Sequence, residues 1–225
     1  QNWDFSMDSE NIAAYIFETF QHFLMINIFN DEMGNDLYKL WTDLPNFYLR
    51  IFSQVFKNEG SAWFDNINTA EVETRSLIIR YSIINSLHWL EDKGGPDLED
   101  WRWGRLHQLK LRHSLRQVAL TDLLFNRGPY SAAGSGCTVN VATYRHDKLF
   151  EMLVGPSLRF LVDWGSPAQY WSILPGGNSG HFLSEYYDNQ ISIWRSGNLK
   201  VVKLDGMKGA QVLNLSPPDH SLGNN

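Results

Sequence analysis

Residues 128–144 read GPYSAAGSGCTVNVATY, and the sequence changes character at this stretch. Before it, apolar residues recur at helical spacing in long segments. After it, segments are short, rich in β-branched and aromatic residues, and separated by glycine or proline. Helices first and strands later indicate an α+β fold. The sequence therefore predicts a helical region over residues 1–127, a β-rich region over 128–205 and an irregular tail over 206–225.

Periodic apolar positions in the first region predict four helices, bounded by capping residues, glycines and prolines. The predicted helices run from Glu10 (capped by Asp8 or Ser9) to Gly34, onward from Pro45, from the capping box of Asn68 and Glu71 to Gly94, and from Trp103 to about Phe125.

Short strand candidates follow in the second region. They cover residues 138–144, 149–154, 158–164, 170–174 and 198–204. A sheet of this size has long unpaired edges and uncovered faces, which other elements must pair and bury. We therefore expect the chain to form part of a larger body, with a mainly antiparallel sheet.

The composition excludes several functional classes. The chain has 225 residues, 43% apolar and 14% aromatic, with a formal net charge of −6 and a pI near 5.6. Because an acidic chain without a basic block does not suit binding along nucleic-acid phosphates, no nucleic-acid partner is expected. No apolar run approaches the roughly 20 residues of a membrane span, and residues 1–9 do not resemble a signal peptide.

Cysteine and histidine give no metal-binding pattern. Cys137 is the only cysteine, so an internal disulfide is excluded, and we expect a small buried residue, not a thiol nucleophile. No CxxC, HExxH or carboxylate-rich loop is present. If His107 and His113 share a helix they point apart, and we expect the His107 ring to be hydrogen-bonded inside the protein.

Aromatic side chains leave two alternatives open. A set of phenylalanines is expected in the core, with a pocket for an apolar acyl group as the alternative: Phe17, Phe20, Phe23 and Phe29. Three tryptophans would suit a carbohydrate- or peptide-binding module if they shared one flat face: Trp63, Trp101 and Trp171.

Four stretches, in order, resemble the penicillin acylases, which are N-terminal-nucleophile hydrolases. They are residues 3–8 (WDFSMD) followed by Ala13-Ala14, residues 103–107 (WGRLH), residues 155–163 (GPSLRFLVD) and residues 175–180 (PGGNSG). They resemble the family's Trp-Asp-Gly…Ala-Ala, Trp-Gly-x-x-His, Gly-x-Ser-x-Arg…Val-x-Asp and Pro-Gly-Gly-Gln-Ser-Gly. The chain departs from the family's Gly, Gln, Pro-His and Asp at Phe5, Asn178, Glu185-Tyr186 and Asn189.

The resemblance implies the C-terminal part of a large subunit whose strands complete an αββα sandwich. In this family, self-cleavage exposes a serine at the N-terminus of the large subunit. Its hydroxyl attacks an amide carbonyl while its own α-amino group takes the proton. Gln1 cannot replace that serine, and Gly134-Ser135 lacks the Asn and Trp that follow the family's cleavage site. We therefore expect no catalytic residue in this chain and no activity from it alone.

The resemblance also implies partners. These are the remainder of the precursor, namely the small subunit and the N-terminal part of the large subunit, and a small-molecule amide substrate. Calcium occurs in some relatives with ligands upstream, so we expect no metal or other cofactor here. Family members are commonly periplasmic or secreted. The alternative is a non-catalytic structural or interaction domain derived from the same fold.

Asp163 and Arg159 are the near-site candidates, because the family has an acidic residue close to the nucleophile at the position of Asp163. The two share a strand face if the strand is regular, and a contact would keep the carboxylate ionised. The alternatives are a turn-capping Asp163 and a solvent-facing Arg159. Asn178 and Ser179 are weaker candidates for substrate contact, since their glycine-rich loop suits a tight structural turn better.

Overall fold

A computed structural model describes residues 2–43, 45–115, 119–145, 148–165 and 169–202 of the chain. Within these ranges the helices are α1 (Ile12–Thr42), α2 (Pro45–Lys57), α3 (Arg75–Gly94), α4 (Trp103–Leu106), α5 (Ala119–Phe125) and α6 (Ile191–Arg195). The strands are β1 (Gln108–Leu111), β2 (Arg127–Ser131), β3 (Thr143–Arg145), β4 (Lys148–Val154), β5 (Arg159–Asp163), β6 (Gln169–Ile173) and β7 (Lys200–Val202). The expected α+β class is confirmed, and the predicted tail lies outside the described residues.

Helix α1 differs from its prediction at both ends. It is capped by Asn11, whose side chain accepts a hydrogen bond from the Ala14 N–H at 3.0 Å, rather than by Asp8 or Ser9. At Gly34 the helix kinks, because this residue adopts a φ of 69°, which glycine tolerates. Helical turns then resume, so Gly34 interrupts the helix without ending it.

By length and composition alone, helix α1 is long and apolar enough to cross a membrane. A helix buried in a protein core can meet the same two criteria. Here it packs against α3, and its buried face enters the main helical core. That core contains Leu24, Met25, Ile28 and Phe29 of α1 together with Phe64. Packing inside the protein therefore accounts for part of the apolar pattern of this helix, while Leu37 and Leu40 stay exposed.

Helix α3 starts at Arg75 and not at the predicted capping box of Asn68 and Glu71. The Glu73 carboxylate instead accepts hydrogen bonds from the backbone N–H of Asn66 at 2.9 Å and from a nearby threonine hydroxyl. These bonds hold the segment before the helix as a loop. Hydrogen bonds from side chains to the backbone compete in this way with the backbone hydrogen bonds of a helix.

The helix predicted from Trp103 to Phe125 is wrong in its middle, where β1 forms. This strand lies inside a four-stranded sheet of order β2-β1-β4-β3, antiparallel to β2 and parallel to β4. Leu109 is buried in β1 and aligns with Tyr130 on one side and Met152 on the other. Pairing on both sides decides the conformation, because a short apolar run suits helix and strand equally well.

The strand predicted over residues 138–144 is also shorter than expected. The Thr138 hydroxyl accepts from the Ser135 N–H at 2.9 Å and donates to the Asn140 carbonyl at 2.7 Å. These bonds close a loop, so that only β3 remains extended. The predictions at β4, β5 and β6 are confirmed, and the last predicted strand appears as β7.

Strands β5, β6 and β7 form a second, antiparallel sheet in that order. Phe160 and Leu161 are neighbours in β5 and are 58% and 54% exposed. Because neighbouring strand residues point to opposite faces, neither face of this sheet is fully covered. Apolar side chains of β5 therefore remain accessible on both faces of this sheet.

The tryptophans do not form one flat platform. Trp101 is buried and stacks on Tyr15 with ring centroids 6.1 Å apart, whereas Trp63 packs on Phe29 at 5.3 Å. Trp171 lies in β6, in the other half of the chain. This scatter counts against the carbohydrate- or peptide-binding alternative.

Candidate functional site

Asp163 and Arg159 lie at opposite ends of β5 and bond to different groups. The Arg159 guanidinium donates to the Asn140 side chain at 2.7 Å and lies 4.2 Å over the Trp194 ring. The Asp163 carboxylate accepts from the Gly165 N–H at 2.8 Å, as a turn-capping aspartate does. The contact considered between the two side chains is therefore not formed, and Arg159 is a packed side chain.

The glycine-rich loop after β6 carries structural hydrogen bonds. The Asn178 side-chain oxygen accepts from the Gln190 amide at 2.9 Å, and the Ser179 N–H donates to the Tyr186 carbonyl at 3.1 Å. A Cβ at Gly177 would overlap that same Tyr186 carbonyl, so the close approach requires glycine. These contacts explain the loop as a tight turn, and substrate contact by Asn178 or Ser179 stays a prediction.

His107 is fully buried and stacks on Trp103, with ring centroids 4.6 Å apart and 12° between the planes. Its Nδ1 lies 2.7 Å from the Phe150 carbonyl oxygen. Burial lowers the pKa of His107 to about 4. The expected internal hydrogen bond is confirmed, so WGRLH packs helix against sheet. His113 instead stacks on a phenylalanine of α5.

An apolar cleft of about 480 Å³ opens between the N-terminal segment, α1, α2 and the loop before β3. Trp3 joins the segment to the helix, with its ring 5.2 Å from Phe5 and 5.1 Å from Phe17. Other aromatic walls are Phe20, Tyr48, Phe52 and Phe56. Ligand pockets commonly combine such a volume and lining with a few polar groups.

Glu18 and Tyr144 form a buried hydrogen-bonded pair in this cleft, whose lining also includes the polar side chains of Gln21, Ser135, Thr138 and Thr143. Glu18 extends from α1, is only 5% exposed and accepts a hydrogen bond from the Tyr144 hydroxyl at 2.7 Å. Burial raises the pKa of Glu18, while hydrogen bonds from Tyr144 and Ser135 oppose that rise. Among the described residues that line the cleft, none is Lys or Arg. The cleft can therefore hydrogen-bond an uncharged group and offers no cation to a carboxylate.

Cys137 lies at the rim of the cleft and is exposed, contrary to the expected buried position. Its thiol pKa is raised, first by partial burial of the group and then by the nearby Glu18. A raised pKa lowers the thiolate fraction, so the environment does not activate a nucleophile. Ser135 accepts a hydrogen bond from the Cys137 N–H at 3.3 Å and shapes this loop.

The sequence pointed to part of this cleft and missed the rest. Phe17 and Phe20, raised as an alternative acyl pocket, do line it, whereas Phe29 packs in the helical core as expected. A glutamate within an apolar helix face was the available signal for Glu18. Its partner Tyr144 lies 126 residues away in sequence, so no local pattern could join them.

Comparison with known proteins covers nearly the whole chain. A family model described as penicillin amidase matches residues 1–208. The acyl-homoserine lactone acylase QuiP of Pseudomonas syringae pv. tomato is 26% identical, with 96% of this chain and 27% of the relative covered. QuiP of Pseudomonas fluorescens strain Pf0-1 is 27% identical with the same coverage, and that of Pseudomonas aeruginosa is 23% identical, covering 96% and 28%. The chain thus spans about a quarter of the length of these relatives.

Proposed function

This chain belongs to the penicillin amidase family, and on that premise we propose that it is one part of an amidohydrolase acting on acylated small molecules. The family match over residues 1–208 carries the proposal. The matched relatives are acyl-homoserine lactone acylases, so N-acyl homoserine lactones and phenylacetyl amides are the first substrates to test.

The nucleophile belongs, in this proposal, to a part of the enzyme outside these residues. The relatives are roughly four times as long as the aligned stretch, which leaves ample chain for an N-terminal serine and an oxyanion-binding asparagine. The serine oxygen would bond to the amide carbon and the amine would leave with a proton. Water would then hydrolyse the acyl-enzyme to the carboxylic acid and regenerate the serine.

The present chain would complete the sheet and place Asp163 beside the serine region. Support comes from the β5-β6-β7 sheet, because Phe160 and Leu161 leave apolar surface exposed on both of its faces. Asp163 ends β5 and is exposed, so it is accessible to groups from outside the chain. Its hydrogen bond to the Gly165 N–H fixes the carboxylate in place.

The test is hydrolysis of a chromogenic phenylacetyl amide and an N-acyl homoserine lactone. The 225-residue chain is assayed alone and mixed with the polypeptide that precedes it in the family fold. Activity is expected only in the mixture. Activity from the chain alone would overturn the placement of the nucleophile and direct attention to Ser135. No activity in either sample, with both substrates, would favour a non-catalytic domain of the same fold.

A further inference from the structure

The cleft between α1, α2 and β3 has a definite chemical character. Its volume of about 480 Å³ has room for roughly 16 groups, at about 30 Å³ for each water-sized group. The lining is mainly aromatic and aliphatic with four further polar side chains, and Glu18 is the one acidic side chain among the described residues of the lining. An apolar chain of about ten carbons with a small head group therefore fits.

The hydrogen-bonded pair of Glu18 and Tyr144 selects among head groups. A carboxylate would face Glu18 without a basic partner, and two carboxyl groups in one buried site do not both ionise. An ammonium would need an ionised Glu18 as its partner, but burial raises the pKa of this carboxyl and so favours its neutral form. An amide or a hydroxyl both donates and accepts, so it can bond to Glu18 and Tyr144 without carrying a charge into the cleft.

We propose that this cleft binds the apolar chain of an uncharged molecule with an amide or alcohol head, which hydrogen-bonds to Glu18 and Tyr144. The choice of an amide head rests on the proposed function, whereas binding itself requires no hydrolysis. The site would favour a neutral amide over the ionised acid with the same chain.

Cys137 provides a direct readout, because it is the only cysteine in the chain and lines the cleft. The 225-residue chain is alkylated with iodoacetamide at neutral pH, with and without decanamide. Modification is followed by mass spectrometry of the tryptic peptide covering residues 128–145. Decanamide at ten times its dissociation constant should slow alkylation about tenfold. An unchanged rate at the solubility limit of decanamide overturns the proposal.

Head-group selection is tested with decanoic acid, which has the same chain length and is ionised at neutral pH. Decanamide should bind on the order of tenfold more tightly, the equivalent of about one pKa unit. Glu18→Gln keeps the shape and removes the acid, so the preference should fall at least about threefold. A preference that is unchanged in Glu18→Gln would show that the head group does not meet Glu18.

The position of the bound chain is tested with two exposed aromatic residues. Phe17 lines the cleft and is 41% exposed, whereas Tyr81 lies on α3, outside the residues lining it, and is 43% exposed. Phe17→Glu should abolish protection by decanamide, and Tyr81→Glu should retain it. Equal effects of the two substitutions would place binding elsewhere and refute the assignment.

The competing occupant is the remainder of the enzyme. Alkylation is therefore repeated after mixing with the preceding polypeptide of the family fold. Further protection by decanamide in the mixture supports a ligand site. Complete protection of Cys137 by the polypeptide alone, without displacement by decanamide, would identify the cleft as a packing surface. Both results are independent of amide hydrolysis, so they separate this proposal from the proposed function.

Discussion

The buried imidazole of His107 predicts a specific dependence of stability on pH. Its Nδ1 is hydrogen-bonded to the Phe150 carbonyl, while its Nε2 has no hydrogen-bond partner among the described residues. A second proton would therefore be buried without an acceptor, which explains why burial lowers the pKa of His107 to about 4. In the unfolded chain the imidazole titrates near its ordinary pKa of about 6.5.

The direction of the change in stability with pH follows from which state, folded or unfolded, binds the proton first. As pH falls below about 6.5, the unfolded state takes up the proton before the folded state does, so the stability contributed by the neutral ring is lost as pH falls toward 4. The whole effect amounts to roughly 3 kcal/mol, and about 2 kcal/mol of it falls between about pH 7 and about pH 5. Carboxylates also titrate at low pH, so a variant without the histidine is needed to separate the contribution of His107 from theirs.

Urea unfolding at these two pH values, for wild type and His107→Asn, measures the contribution. The asparagine amide can still donate to the Phe150 carbonyl but does not titrate. Between about pH 7 and about pH 5, wild type should lose about 2 kcal/mol more than the variant. His88→Asn removes an exposed histidine of α3 and should follow wild type. Equal pH dependence in wild type and His107→Asn would refute the reasoning.

Three further substitutions test particular contacts. Tyr144→Phe removes one of the two side-chain hydrogen-bond donors to the buried Glu18 carboxyl and leaves Ser135 as the other, so urea unfolding should show a loss of about 1–3 kcal/mol; a loss below about 0.5 kcal/mol would contradict the contact. Gly177→Ala places a methyl against a carbonyl and should cost about 1–3 kcal/mol, whereas Gly180→Ala, with open space around it, should stay within about 0.5 kcal/mol. Asp163→Asn keeps the turn-capping acceptor, so stability should not change, but amide hydrolysis by the mixed enzyme should fall roughly tenfold to a hundredfold. Unchanged hydrolysis would show that Asp163 has only the structural role of capping the turn.

Elements with strong local signals were predictable from sequence. The α+β class, β4 and β5 follow from hydrophobic period and from glycine and proline positions. Strand β1 did not follow, because its conformation depends on partners on both sides, one of them β4, some 40 residues downstream. The kink at Gly34 shows the limit of stop signals: a glycine permits a helix to bend without requiring it to end.

The candidate site was predictable only where the residues are local. Phe17 and Phe20 share one helix, and their spacing indicated an apolar surface. The hydrogen bond between Glu18 and Tyr144 joins the first helix to the first sheet, which no spacing rule reports. Arg159 and Asp163 were placed on one strand face, but the partner of the Arg159 side chain was set by a loop and a helix from elsewhere in the fold.

The central claim, that this chain completes an amidohydrolase, is tested most directly by identifying the products formed from N-decanoyl homoserine lactone. The chain, the preceding polypeptide and their mixture are incubated with it, and the products are identified by mass spectrometry. Amide hydrolysis releases decanoic acid and homoserine lactone, and we expect both from the mixture alone. N-decanoyl homoserine, heavier than the substrate by one water, also forms slowly in buffer alone; its formation by the mixture above that background, without release of decanoic acid, would show catalysed lactone opening and contradict the account.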